Sequence, residues 1–186
     1  MSRATRNFAV CKRRETLRRI HIIGRKNSGK TTLLVELVEH LTNAGYRIGT
    51  IKHTHHRHEL DTPGKDSHRH REAGATRVGI LSRELLAVFS PISAEAEEAD
   101  RYAMLAPSFA TCDLVLVEGD SRTTATKVEV WRAATTSAPL ANEDQSISAV
   151  ITDDPIDTTR PIWPRSSVSS IAEHILKLCD VPESSK

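Results

Sequence analysis

Ile20-His21-Ile22-Ile23-Gly24-Arg25-Lys26-Asn27-Ser28-Gly29-Lys30-Thr31-Thr32-Leu33-Leu34 decides the fold. Ile20 to Ile23 is a short, mostly apolar run of the kind that forms a buried strand, and it stops at Gly24. Residues 24–31 match G-x-x-x-x-G-K-[ST] in full. Leu33, Leu34, Leu37, Val38 and Leu41 then share one helical face, until Asn43-Ala44-Gly45 supplies a stop. The bland alternative is a glycine-rich turn with an accidental lysine. Four fixed positions arise by chance in on the order of one chain in a hundred, and the strand-before, helix-after setting rarely accompanies them.

Working outward, residues 46–51 read as a second strand, which completes a βαβ unit with a parallel pair and a right-handed crossover. Residues 52–65 are polar, His-rich and turn-prone, a long loop of the functional kind. A short helix is expected over 67–73. Strands follow over 76–81 and 85–89, joined by a tight Ser-Arg-Glu turn. Residues 94–105 read as a helix whose first turn carries Glu95, Glu97 and Glu98, as the helix dipole favours. Leu114-Val115-Leu116-Val117 is a fully buried strand ending in Glu118-Gly119. Val128 and Val130 alternate with Lys127, Glu129 and Trp131, which predicts a strand with one wet face. A polar loop over 134–145, a strand over 147–151 and an amphipathic helix over 168–178 complete the chain. The expected fold is α/β: a three-layer P-loop NTPase arrangement with a mostly parallel central sheet and a small β-hairpin extension. Residues 1–19 read as a mobile basic tail, with seven Lys and Arg against Glu15. Residues 20–180 read as a single nucleotide-binding domain and 181–186 as a flexible end.

With 186 residues the chain is long enough to bury a core without disulfide or metal staples. A net charge of +2, from 26 Lys and Arg against 24 Asp and Glu, disfavours a protein that coats nucleic acid, and 4% aromatics weaken single-strand stacking. Cys11, Cys112 and Cys179 are scattered, which reads as reduced thiols in the cytoplasm rather than a zinc site. No apolar run reaches the roughly 18 residues of a membrane helix, and the four apolar-leaning residues after the basic tail are too short for a signal core.

The chemistry concentrates where the main chain curls. Gly24, Lys26, Asn27, Ser28, Gly29, Lys30, Thr31 and Thr32 form a phosphate cradle of converging N–H groups at a positive helix end. In it Lys30 neutralises β- and γ-phosphate charge and the Thr31 hydroxyl ligates Mg²⁺. Such a loop needs an acid at a neighbouring strand end, and Glu118 stands there, either to hold a magnesium-bound water or to orient the attacking one; the alternative is a solvated turn acid. Asp61-Thr62-Pro63-Gly64 has the D-x-x-G spacing by which many GTPases sense the γ-phosphate, with Asp61 reaching Mg²⁺ through water and Gly64 N–H meeting the phosphate. A simple type II turn explains the same residues. His53, His55, His56, His58, His68 and His70 crowd adjoining segments. They suit a divalent metal, or, with Lys52, Arg69 and Arg71, an anion-binding cleft. For the base, a carboxylate accepts both donors of guanine, N1–H and N2–H₂, and Asp153 after the strand ending at Ile151 is the candidate, although N-K-x-D is absent. Its alternative is a turn cap.

Six segments in order carry a resemblance: IGRKNSGKTTL at 23–33, TIKHTHH at 50–56, PGKDSHRHREAGA at 63–75, DLVLVEG at 113–119, KVEVWR at 127–132 and AVITDDP at 149–155. The chain resembles the molybdopterin-guanine dinucleotide biosynthesis adapter (MobB) family from about Leu17 to Cys179. That resemblance implies a homodimeric GTP-binding protein, with Mg²⁺ and weak GTPase activity. Its partner would be the guanylyltransferase that attaches GMP to molybdopterin in molybdenum-cofactor maturation, with molybdopterin itself a candidate second ligand. The family commonly follows Glu-Gly with Phe-Lys, where this chain has Asp120-Ser121, and a proline where Thr126 stands.

Two other functions fit parts of the pattern. A metal-delivering GTPase would use the His-rich loop, without the cysteines expected of it. A small-molecule kinase using ATP would need an arginine-rich lid, of which the sequence carries no clear pattern. Neither a water-positioning glutamine nor an arginine finger is identifiable, Arg25 and Arg122 being the donors in view, so hydrolysis should be slow.

Overall fold

Residues 17–54, 59–92 and 98–184 are described by a computed structural model of the chain. The opening motif folds as its pattern dictates. β1 (Arg19–Ile23) runs into the glycine-rich loop, α1 (Lys30–Asn43) leaves it, and β2 (Ile48–Lys52) returns. α1 ends where expected: Gly45 adopts φ 92°, and Ala44, Gly45 and Tyr46 donate N–H groups back to His40, Thr42 and Leu41. There follow α2 (Asp66–Glu72), β3 (Val78–Leu81), β4 (Leu86–Phe89), α3 (Glu98–Leu105), β5 (Leu114–Glu118), β6 (Lys127–Val130), β7 (Ile147–Ile151), β8 (Ile162–Trp163) and α4 (Val168–Leu178).

Six strands form one sheet in the order β2-β5-β1-β6-β7-β8, every neighbouring pair parallel. β1 therefore lies between β5 and β6, and the loop that follows it opens between their carboxyl ends, where open α/β sheets present ligands. Period-two alternation splits β1 between two cores. Ile20 and Ile22 pack with Leu33, Leu37 and Leu41 of α1 and Ile171 and Ile175 of α4. On the opposite face Ile23 joins Ala141, Ile147 and Val150, while Val115 and Val117 join Tyr102. Each of these fully buried aliphatic side chains contributes about 1.5–3 kcal/mol of hydrophobic stabilisation.

The residues group into two compact units, one formed by 54–101 and the other by the remainder. The smaller unit holds α2 and the antiparallel β3–β4 hairpin, in which Val78 pairs with Phe89 and Leu81 with Leu86. The expected Ser-Arg-Glu turn joins them, with Ser82 Oγ accepting from the N–H groups of Glu84 and Leu85. The larger unit holds the six-stranded sheet. No helix among the described residues is long and apolar enough to cross a membrane.

One expectation fails. The strand around Val128 and Val130 has no wet face: Lys127 is 2% exposed and Glu129 fully buried. The segment read as a polar loop folds over that face and supplies partners, with Glu129 accepting from the N–H groups of Leu140 and Ala141, both at 2.9 Å. β8 escaped the sequence reading because two residues carry no periodicity. The expected tail is shorter than its basic run suggests, since Arg19 opens β1 and lays its guanidinium 4.2 Å from the Tyr102 ring centre. Residues 1–16, the start of the helix expected at 94, and His55, His56 and His58 lie outside the described residues.

Candidate functional site

The loop after β1 demands glycine at its entrance. Gly24 has φ 145°, and a Cβ there would lie 2.3 Å from the Val130 carbonyl oxygen and 2.8 Å from Ser28 Oγ. Asn27 at φ 64° and Gly29 at φ 93° continue the curl, so that Leu33 N–H already donates to Gly29 O. Arg25, Lys26 and Asn27 are exposed. Lys30 lays its ammonium back across the loop and donates to the Arg25 carbonyl at 2.7 Å. Ser28 Oγ is buried and has no hydrogen-bond partner among the described residues. A buried hydroxyl without a partner inside a ring of turn amides is what a polyanion seat leaves open, so these residues fit a phosphate.

One flank of the loop faces β5. Parallel pairing sets Ile22 opposite Glu118, and the Thr31 hydroxyl donates to Glu118 Oε1 at 2.9 Å. Glu118 is 15% exposed, its carbonyl accepts from His53 N–H, and Lys52 Nζ stands 3.8 Å from Oε1. A hydroxyl and a carboxylate side by side are hard oxygen donors of the type Mg²⁺ takes. Burial holds the Lys30 ammonium below the usual lysine range, an effect that Glu118 opposes and the Lys52 charge reinforces.

The other flank faces β6 and β7. A cleft of about 330 Å³ is bounded by Ser28, Gly29 and Thr32 of the loop and by Arg132, Asp153 and Arg165 across from them. Asp153 thus lies beside the loop. Its Oδ1 accepts from Ser166 N–H at 3.1 Å and Ser166 Oγ at 3.0 Å, a turn-capping arrangement that also fixes the carboxylate's orientation. Arg165 is committed to Glu36 at 2.7 Å, Asp154 to Ala133 N–H, and Trp131 Nε1 donates to Ser137 O.

Asp61 and Gly64 belong to the smaller unit. The turn is formed, with Lys65 N–H donating to Thr62 O and Gly64 at φ 79°, as Pro63-Gly64 in its centre requires. Asp61 Oδ1 accepts from Thr62 N–H and Ser67 Oγ, at 2.8 and 2.9 Å, while its buried Oδ2 has no hydrogen-bond partner among the described residues. His68 lies between Glu59 at 3.5 Å and Glu72 at 3.3 Å. Among the described residues no group of three or more His, Cys, Asp or Glu could hold a metal ion.

Two polar clusters escaped the sequence reading. Behind Glu118, Asp120 adopts φ 64° and is 5% exposed; it accepts from Tyr102 Oη at 2.9 Å, and His53 Nδ1 donates to the same Tyr102 oxygen at 3.0 Å. Aspartate tolerates this left-handed backbone, which accounts for its place after Glu118-Gly119. His21 is fully buried beside it. Arg19 Nε donates to His21 Nε2, leaving the ring proton on Nδ1 for the Gly119 carbonyl at 3.3 Å. Burial pushes the His21 pKa down to about 4, although Asp120 and that carbonyl pull the other way. The second cluster is Lys127, whose ammonium donates to Ser121 O, Thr123 O and Asp144 Oδ2. The first cluster is made by long-range partners, and the second joins backbone carbonyls of the preceding turn to the distant Asp144, so no side-chain pattern in the local sequence marks them. Arg132 is different: it follows the end of β6 beside β1, and the strand-end rule that selects Glu118 selects it too.

A family profile described as Molybdopterin guanine dinucleotide synthesis protein B matches residues 19–153. The molybdopterin-guanine dinucleotide biosynthesis adapter protein of Haemophilus influenzae is 34% identical over 160 residues, 83% of this chain and 85% of its own length. The protein of the same name from Escherichia coli is 31% identical over 151 residues, 81% of this chain and 86% of its own. A crystal structure of a molybdopterin-guanine biosynthesis protein B aligns at TM-score 0.65 and 27% identity, over 87% of this chain and 99% of that one.

Proposed function

The chain belongs to the molybdopterin guanine dinucleotide synthesis protein B family, and from that premise we propose that it is a cytoplasmic GTP-binding adapter with slow GTPase activity. It assists the guanylyltransferase that attaches GMP to molybdopterin during molybdenum-cofactor biosynthesis. The observation that carries the reading is the juxtaposition of the glycine-bounded loop with the Thr31–Glu118 pair. The loop amides and Lys30 hold the triphosphate, Thr31 and Glu118 hold Mg²⁺, and Asp153 reads the guanine edge from the opposite flank. Held by Thr31 and Glu118, the ion would supply positive charge that offsets the charge of the phosphates. Lys30 swings from the Arg25 carbonyl onto the phosphates, exchanging one neutral acceptor for a charged one. Slow hydrolysis follows from the absence, among the described residues around Glu118, of a glutamine to orient water. A homodimer is supported by the hairpin, where Leu81, Leu85, Leu86 and Val88 are exposed.

Calorimetry on the magnesium-supplied protein tests the nucleotide half. Lys30→Ala should lose charge-assisted contacts worth about 1.5–3 kcal/mol, and unchanged GTP affinity would remove the argument. ATP bound in preference to GTP would replace the adapter by a kinase. The partner half is tested by pull-down of the guanylyltransferase with GTP, GDP and no nucleotide.

A further inference from the structure

We propose that Arg132 is a binding residue for the α-phosphate of the nucleotide, serving affinity for GTP and GDP alike rather than hydrolysis; this rests on the reading that the 24–32 loop holds a nucleotide. β6 ends at Val130 alongside β1, so Arg132 emerges next to the loop, and its Cδ is 3.9 Å from where a Cβ on Gly29 would sit. The aliphatic stem therefore lies across the loop glycine. Its backbone is pinned, since the Arg132 carbonyl accepts from Thr135 N–H at 3.0 Å and Thr135 Oγ1 at 2.8 Å. The guanidinium has no hydrogen bond or ion pair with any described residue. Three other cations of the region are committed: Lys30 to the Arg25 carbonyl, Arg165 to Glu36 and Lys127 to Asp144. The nearby carboxylates are engaged too, Asp153 by Ser166 and Asp154 by Ala133. A guanidinium left without an anion against a ring of amides suits a phosphate, which its planar fork can take bidentately.

The two flanks of the loop say which phosphate. The terminal-phosphate machinery, Thr31 and Glu118 with Lys52 beside them, is gathered on the β5 side. Arg132 shares the β6–β7 cleft with Gly29, Thr32 and the guanine candidate Asp153. A nucleotide laid between them turns its γ-phosphate toward Glu118 and its α-phosphate and base toward Arg132. The contact is therefore made to the part that GTP and GDP have in common.

The test is calorimetry of the full chain with Mg-GTP, GDP and guanosine, for wild type, Lys30→Ala, Arg132→Ala and Arg132→Lys. Arg132→Ala should weaken GTP and GDP by the same factor, about ten- to a hundredfold, and leave guanosine unchanged. Arg132→Lys should recover part of the loss, and an unaltered thermal midpoint in both variants shows that the fold is kept. A loss confined to GTP would make Arg132 a γ-phosphate residue, and an equal loss for guanosine would make it a base platform; either overturns the proposal. If wild type binds GTP and Lys30→Ala weakens it while Arg132→Ala does not, only this inference falls. If wild type binds none of the three, the nucleotide reading falls with it.

Discussion

β5 and β6 flank the same strand and are buried almost equally, yet they reach that state by opposite means. β5 is Leu-Val-Leu-Val closed by Glu118, and its four apolar residues are at most 1% exposed. β6 is Lys-Val-Glu-Val, and its two charged side chains are as deeply buried as its valines. β5 is covered by side chains that need no particular partner. β6 is covered by the 133–146 segment, which meets Glu129 with two N–H groups and Lys127 with the Asp144 carboxylate, while the carbonyls of Ser121 and Thr123 hold Lys127 from the preceding turn. Polar residues in an alternating strand thus mark solvent only when nothing downstream is shaped to satisfy them. On β6 the charges act as anchors for a cover, and that cover leads into the Arg132–Asp153 side of the site.

The largest expected effect lies on β6. Glu129→Ala strips two N–H groups of their acceptor and opens a cavity, and should cost about 2–6 kcal/mol in urea unfolding, at about 1–3 kcal/mol for each donor left unsatisfied. Glu129→Gln sharpens the contrast. It has the same shape, but only one of its two terminal atoms can accept, so one of Leu140 and Ala141 N–H meets another donor. A cost of about 1–3 kcal/mol is expected, whereas the similarly conservative Leu116→Met on β5 should stay below about 1.5 kcal/mol. Equal costs would break the comparison, because burial alone would then explain both strands.

The same difference explains what the sequence disclosed. The βαβ unit, the loop at 24–31, the all-apolar β5, the hairpin and α4 were legible, since each rests on periodicity or turn chemistry within a few residues. Glu118 and Asp153 are candidates because strand ends in an α/β sheet face the ligand crevice, and the structure sets both beside the loop, on opposite flanks. The burial of Lys127 and Glu129 was illegible because Leu140, Ala141 and Asp144 lie 11 to 17 residues downstream in a segment that looks solvated, and the Ser121 and Thr123 carbonyls that also hold Lys127 are backbone groups with no side-chain signal. His21 was passed over for a related reason: alternation puts it on a core face, but Arg19, Gly119 and Asp120 make it acceptable there, and two of those come from a distant loop.

Acid titration should separate the flanks. His21, beside the β5 strand end, is held at about 4 by burial, below its ordinary 6.5. The unfolded chain then binds a proton that the folded chain refuses. Stability present above pH 6.5 is therefore lost as pH falls toward about 4, by on the order of 3 kcal/mol if the shift is fully expressed. His21→Gln should flatten that slope. A slope unchanged in the variant would assign the acid sensitivity elsewhere.

The smallest effect should come last on the pH axis and on the other flank. Asp144 is drawn down to about 2, first by Lys127 and then by Ser146, which donates both its N–H and its hydroxyl to Oδ1. A depressed carboxylate contributes stability that is complete above its unfolded pKa, near 3.8, and disappears as pH falls through about 2. With 38% of the Asp144 side chain exposed, solvent screens the pair, so the contribution is about 1 kcal/mol or less. Asp144→Asn should therefore cost little at pH 7 and nothing further below pH ~2, since the Ser121 and Thr123 carbonyls still hold Lys127. The informative measurement is the order of loss in Glu129→Gln, because burial holds the Glu129 carboxyl above the usual carboxylate range and its own protonation would loosen the cover in wild type. If the β6 cover, followed by amide exchange at Leu140 and Ala141, loosens between pH 6.5 and 4 together with the His21 side, the two flanks unfold as one unit. Retention of that protection down to the Asp144 range would show that charged anchors outlast the neutral one.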